Sequence, residues 1–273
     1  MNTTDPLHRI GIAVPDPARA LRFFDDLVGT ASLDHTAATV RFEPGIEVSL
    51  YTSTSEDPPS IIDIGTNHLC FRVADIDAAV TYLHQLPDLD VLGDVITVPD
   101  GPIRGNRWIY FRAPWGTLFE LQQWPETPGY FAGTSERLFH GHHAPGDAAL
   151  PTLLGLDHSG YSVSDLEAAV SYLARAHRGR LVLRTEIAAD RAFMRAQFGA
   201  EAEGTSVMAM VAAGGLNLEL FQHRAGPQRP ARPLNRLGGN YLALDDRAET
   251  SQESGNALAR TDFGIYVSAA AVR

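Results

Sequence analysis

The strongest constraint in this sequence is that it repeats itself. His68 stands five residues before Val73, and Asp75 then sits where a helix cap belongs, ahead of Ile76, Ala79, Val80 and Leu83. That is the i, i+3, i+4, i+7 spacing of one buried helical stripe. His158 stands five before Val163 in the same way, and Asp165 precedes Leu166, Ala169, Val170 and Leu173 at the same spacing. Gly116 lies four before Glu120, as Gly215 lies four before Glu219. A degenerate copy opens the chain: Arg9 is five before Val14, Asp16 and Pro17 start a helix through Leu21, Phe24 and Val28, and Gly45 is four before Ser49. A fourth begins at Asn240, Tyr241, Leu242, Ala243 and Leu244 and then loses the pattern. The unit is one supersecondary element used several times.

The second copy shows what the unit is. His68 opens the apolar run Leu69, Cys70, Phe71, Arg72 and Val73, and strand alternation puts His68, Cys70 and Arg72 on one face. After the helix, Arg107 to Phe111 is a strand by its aromatic and branched content. Pro114, Trp115 and Gly116 turn the chain, and Thr117 to Leu121 runs back as another strand. The order is βαβββ, with one histidine on the first strand and one glutamate on the last.

With Asn67-His68-Leu69 to Asp75, Trp108 to Leu121, Leu156-Asp157-His158 to Asp165 and Gly215 to Phe221 in place, the sequence resembles the vicinal oxygen chelate superfamily over nearly the whole chain up to about Leu244. That superfamily includes glyoxalase I, methylmalonyl-CoA epimerase, extradiol dioxygenases and bleomycin and fosfomycin resistance proteins. The resemblance implies an α+β fold in which βαβββ modules pair into half-barrels, here two, with the last module incomplete or divergent. It also implies one divalent ion, Fe, Zn, Mn, Ni or Co, held by His68, Glu120, His158 and Glu219; two imidazoles and two carboxylates suit such a borderline ion. Glu120 and Glu219 are the candidate catalytic carboxylates.

The whole chain bounds the remaining classes. Its 273 residues suffice for two domains, drawn here as 1–124 with modules at 7–53 and 65–124, a linker at 125–151, and 152–273 with a module at 154–223 and a divergent one at 236–273. A formal net charge of -11 argues against nucleic acid or an anionic membrane as partner and favours a small molecule, one with adjacent oxygens by the resemblance. A homodimer stays open as an assembly. Cys70 is the single cysteine, so a reducing compartment is the natural reading, and no window nears ~18 apolar residues; a cytoplasmic protein is expected.

Arg9 and Ser49 fill the first module's ligand positions, with His8 and Glu47 one and two residues away, Glu47 sharing strand parity with Ser49. Asn240 is read as the histidine position of the fourth module, and Ile265 to Ser268 as one short strand. His140, His142 and His143 are read as a solvated loop cluster or a lid, and Arg191 to Phe198 as a helical insertion of the kind that covers a cavity mouth. Trp108, Tyr110 and Trp115 are core or cavity lining.

Which modules pair decides whether the ligands form one site. Consecutive pairing leaves two incomplete sites, whereas pairing the second module with the third gives a single complete one, the arrangement preferred here. A bound ion would chelate adjacent oxygens as a Lewis acid. Two glutamates favour proton-transfer chemistry of an isomerase, epimerase or lyase. An Fe(II) extradiol-type dioxygenase and a metal-free ligand-binding or drug-sequestering resistance protein are the alternatives.

Overall fold

The structure, a computed structural model, describes residues 8–54, 57–65, 67–131, 134–142, 150–244 and 258–268. Its first module is β1 (His8–Val14), α1 (Pro17–Val28), the short β2 (Leu33–Asp34), β3 (Thr39–Glu43) and β4 (Ile46–Thr52). The second is β5 (Asn67–Val73), α2 (Ile76–Leu83), β6 (Asp90–Thr97), β7 (Arg107–Arg112) and β8 (Leu118–Gln123). A short β9 (His140–His142) precedes the third, β10 (Leu153–Ser162), α3 (Leu166–His177), β11 (Arg180–Ala189), α4 (Arg191–Phe198), β12 (Gly204–Ala213) and β13 (Leu216–Arg224). The last described strands are β14 (Tyr241–Ala243), β15 (Leu258–Arg260) and β16 (Tyr266–Ser268).

Each module's helix starts where an aspartate satisfies otherwise unpaired amides. The Asp16 carboxylate accepts from the Ala18 and Arg19 N–H groups, Asp75 from Asp77 and Ala78, and Asp165 from Ala168. The buried faces are those of the stripes: Leu21, Phe24 and Val28 in α1, Ile76, Ala79 and Leu83 in α2, and Leu166, Ala169 and Leu173 in α3. α1 also packs across modules. Phe23 lies 5.1 Å from both the Trp115 and Phe119 rings, so Trp115 belongs to the core. Burial of a side chain such as Phe119 contributes roughly 1.5–3 kcal/mol.

The strands pair so that modules two and three meet. β5 runs antiparallel to β10, and each continues into its own half, β5-β8-β7-β6 on one side and β10-β13-β12-β11 on the other. β1 pairs with β14 in the same antiparallel sense, and β9 links β3 to β10. All three full modules keep one parallel register: Gly11 faces Ser49, Cys70 faces Glu120 and Gly160 faces Glu219.

That register corrects the fourth module. Across β5 and β10, His68 stands opposite Gly160; across β1 and β14 it is Tyr241, not Asn240, that stands opposite Gly11. Strand side chains alternate, so the one-residue difference turns Asn240 to the other face, where its Oδ1 accepts from the Ala13 N–H. The histidine cluster also departs from expectation. His140 is buried in β9, with its ring nitrogens on the carbonyls of Pro44 and Gly215, so it is a strand residue and not part of a solvated loop or lid. The His142 side chain and His143 lie outside what is described. Ile265 to Ser268 carries the expected strand, Tyr266–Ser268.

Candidate metal centre and cavity

Four strands bring one side chain each to a common point. Each histidine lies two residues before the position opposite a glutamate, which puts His68 and Glu120, and His158 and Glu219, on one face of their paired strands. Gly160 makes room for the crossing: a Cβ there would lie 1.9 Å from Cε1 of the His68 ring. The two Nε2 atoms are 3.3 Å apart. His68 Nε2 is 3.3 Å from Oε2 of Glu120 and of Glu219, and His158 Nε2 is 3.5 and 3.3 Å from the same two atoms. Four donors placed tetrahedrally ~2.0–2.1 Å from one ion are separated by about 3.3–3.4 Å. The five separations match those expected of a divalent ion's ligands. Both Oε2 atoms are buried and make no hydrogen bond of good geometry among the described residues, as expected of oxygens that face a cation.

The electrostatics agree. Burial alone would lower the His68 imidazole, yet Glu120 and Glu219 hold it above the usual histidine value. Burial would raise the Glu219 carboxyl, but His158 and His68 bring it down to about 2. Behind the centre, His158 Nδ1–H donates to Asp157 Oδ1 at 2.9 Å, and Asp157 Oδ2 accepts from Arg72 Nε at 2.5 Å and from its Nη2. This contact orients the ring so that Nε2 faces the centre. Although burial would lower the His158 imidazole, its neighbours Cys70, Glu219 and Asp157 hold it well above the usual histidine value. The Arg72 guanidinium lies 5.7 Å from the Phe139 ring centroid, and Asn217 Nδ2 donates to the Asp157 carbonyl, so the pair is sealed from water. Tyr110 places its hydroxyl 3.3 Å from His68 Nε2.

Residues 7–121 match the model of the Glyoxalase/Bleomycin resistance protein/Dioxygenase superfamily. A 2-epi-5-epi-valiolone epimerase from Actinomyces sp is 34% identical over 159 residues, covering 49% of this chain and 87% of the epimerase. The chain belongs to the vicinal oxygen chelate superfamily. Glyoxalase I from Zea mays shares the fold, with a TM-score of 0.50 at 17% identity over 82% of this chain and 69% of that one. A mutant of the same enzyme gives 0.51 at 16% identity over 82% and 70%.

In this vicinal oxygen chelate protein a cavity of about 110 Å³ opens over Glu120 and Glu219. Its walls come from both central modules, with Trp108 and Tyr110 on one side and Met208 and Phe221 on the other. The insertion α4 covers it: Phe198 stacks on Trp108 at 6.0 Å, and its carbonyl accepts from Arg112 Nη2 at 2.6 Å. Trp108 and Tyr110 are thus lining.

The structure brings His68, Glu120, His158 and Glu219 together and leaves the first module's residues elsewhere. Glu47 pairs with Arg9 at 3.0 Å and Arg41 at 3.8 Å, and His8 is buried at the start of β1. Asp157 escaped the sequence because alternation would turn it away from His158. β10 bulges between Leu156 and His158, making Asp157 the extra residue. The aspartate beside the histidine was the available signal. His223 was missed as well; it lines the cavity and bonds Ser162 and Ser206 at 3.1 and 2.7 Å.

Proposed function

We propose that the chain is a divalent-metal-dependent isomerase or epimerase that moves a proton at a carbon next to two adjacent oxygens of a small substrate. The observation that carries this reading is the meeting of two imidazoles with two carboxylates, one from each central module, that line one cavity. Superfamily membership and the related epimerase support an enzyme of isomerase type. A bound ion, which we assign to His68, His158, Glu120 and Glu219, would supply Lewis-acid polarisation of the substrate oxygens.

The remaining work belongs to the side chains. Glu120 and Glu219 arrive from β8 and β13, so one can take a proton from the carbon while the other returns one, which is what inversion of a stereocentre requires. The Asp157 contact fixes the His158 ring with Nε2 toward Glu120 and Glu219. Aromatic walls and α4 keep water from competing for the abstracted proton.

The experiment is solvent deuterium exchange. 2-Hydroxycyclohexanone in D2O should gain deuterium beside its carbonyl when metal-loaded protein is added, and Glu120→Gln or Glu219→Gln should each lower the rate by about 10²–10⁴-fold. Oxygen uptake with catechol and no exchange would replace this reading by a dioxygenase. Protein that takes up no metal would instead be a binding protein.

A further inference from the structure

We infer that the substrate is an uncharged, hydroxyl-bearing molecule of one or two rings, and that substrates carrying a carboxylate, a phosphate or a phosphate-bearing carrier are rejected. The inference rests on the metal-centre reading above and adds the chemical class of what sits there.

The first observation is the charge of the wall. No arginine or lysine lines the cavity among the described residues; its charged groups are Glu120 and Glu219. The nearest candidates are engaged, Arg72 by Asp157 and Arg112 by the carbonyls of Gly116 and Phe198. With a dication and two neutral imidazoles the centre carries no net charge, and without the ion the two histidines at most balance the two carboxylates. An anionic group would therefore be buried against a largely apolar wall with no cationic side chain to pair with.

The second observation is the polarity of what the wall does offer. Ser162 gives its hydroxyl proton to the Ile61 carbonyl at 2.6 Å, so its oxygen accepts from His223 Nε2–H. His223 Nδ1 must then accept from the Ser206 hydroxyl, which leaves Ser206 with lone pairs but no proton for the cavity. Burial holds His223 down at about 4, so it is neutral and adds no cation. Asn106 is 2% exposed, and its Oδ1 has no hydrogen-bond partner among the described residues. Two acceptors, Asn106 Oδ1 and Ser206 Oγ, thus ask for donors, which hydroxyls supply and carboxylates do not. Trp124 Nε1–H, likewise without a partner among the described residues, is the matching donor for a ketone or ether oxygen.

Size follows from the volume. About 110 Å³ corresponds to roughly seven to eleven water positions, enough for one or two rings.

The test uses the whole protein. Co(II) is titrated first and followed by its visible absorption. Catechol, 2-hydroxycyclohexanone and 3,4-dihydroxybenzoate are then titrated into the Co(II)-loaded and metal-free forms, reading the fluorescence of Trp108 and Trp124. The neutral probes should bind, and 3,4-dihydroxybenzoate should bind at least about tenfold more weakly than catechol in both forms, because its carboxylate gains no partner. Equal or tighter binding of the carboxylated probe overturns the inference, as does failure of both neutral probes to bind either form. Absence of Co(II) binding would defeat the metal-centre reading alone, since the ranking of probes on the metal-free protein still decides the question of charge.

Discussion

Asp157→Asn separates the ligand-orienting role of this carboxylate from its place in the fold. In the native arrangement Arg72 and Asp157 are each about 95% withdrawn from solvent at the side chain, with exposures of 5% and 5%, and the other carboxylate oxygen takes the His158 proton. An amide presents one oxygen and one NH2 group. The oxygen will be drawn to Arg72, which turns the NH2 toward His158 Nδ1 and favours the tautomer with its proton on Nε2. That tautomer cannot ligate, so Co(II) affinity should fall by about 10–100-fold. Stability should fall too, by about 3–5 kcal/mol, because Arg72 is left buried without its counter-charge. The two losses come apart in the double variant Arg72→Met with Asp157→Asn. Replacing both members of a buried pair by groups of similar size is often close to neutral for stability, so urea unfolding should recover most of the loss while Co(II) affinity stays low. An Asp157→Asn protein that binds Co(II) within about twofold of wild type would refute the tautomer argument, whatever its stability.

Other perturbations test neighbouring steps. Gly160→Ala should abolish Co(II) binding, since its Cβ would meet the His68 ring at 1.9 Å; Gly11→Ala meets Tyr241 at the same 1.9 Å and should lower urea stability while leaving Co(II) affinity unchanged. His223 titrates near 4 when folded and near 6.5 when unfolded, so between those values the unfolded chain holds the extra proton and stability falls as pH drops from 6.5 to 4. That loss, on the order of 3 kcal/mol at most, should be missing in His223→Gln, as urea unfolding across this range would show. Arg112→Met removes charged hydrogen bonds to the carbonyls of Gly116 and Phe198, and amide exchange in 191–198 should quicken by the equivalent of about 1.5–3 kcal/mol with Co(II) binding intact.

What could be read from the residues depended on how local the cause was. The helices were legible because an aspartate cap and an apolar stripe lie within one short stretch, as at Asp75 and Ile76 to Leu83. The four His and Glu positions were legible because the repeat supplied a register, and β5, β8, β10 and β13 kept it. Tyr241 was not, since the fourth copy lacks the valine and glycine landmarks and a slip of one residue reverses a strand's faces. Asp157 was hidden by a bulge set by pairing with β5, more than eighty positions away in the chain. His140 was hidden because β9 gains its partners from β3 and β10, far apart in sequence.

The two strand pairings, β1 with β14 and β5 with β10, show that the fold closes with or without a cluster of histidine and glutamate. β1, β4 and β14 close with the same register as β5, β8 and β10, and Gly11 yields to Tyr241 as Gly160 yields to His68. Yet among the described residues of that half no histidine and glutamate stand at the matching positions. Arg9 and Arg41 pair with Glu47 there, Arg41 also with Asp34, Tyr51 stacks on Tyr241 at 5.8 Å, and the Tyr51 hydroxyl donates to the Gly239 carbonyl. The same backbone is thus satisfied without two buried carboxylates whose Oε2 atoms lack hydrogen-bond donors among the described residues. In the central pair such groups cost stability unless a cation offsets them. The fold closes without such a cluster at β1 and β14, so replacing His68, Glu120, His158 or Glu219 should test metal binding apart from folding.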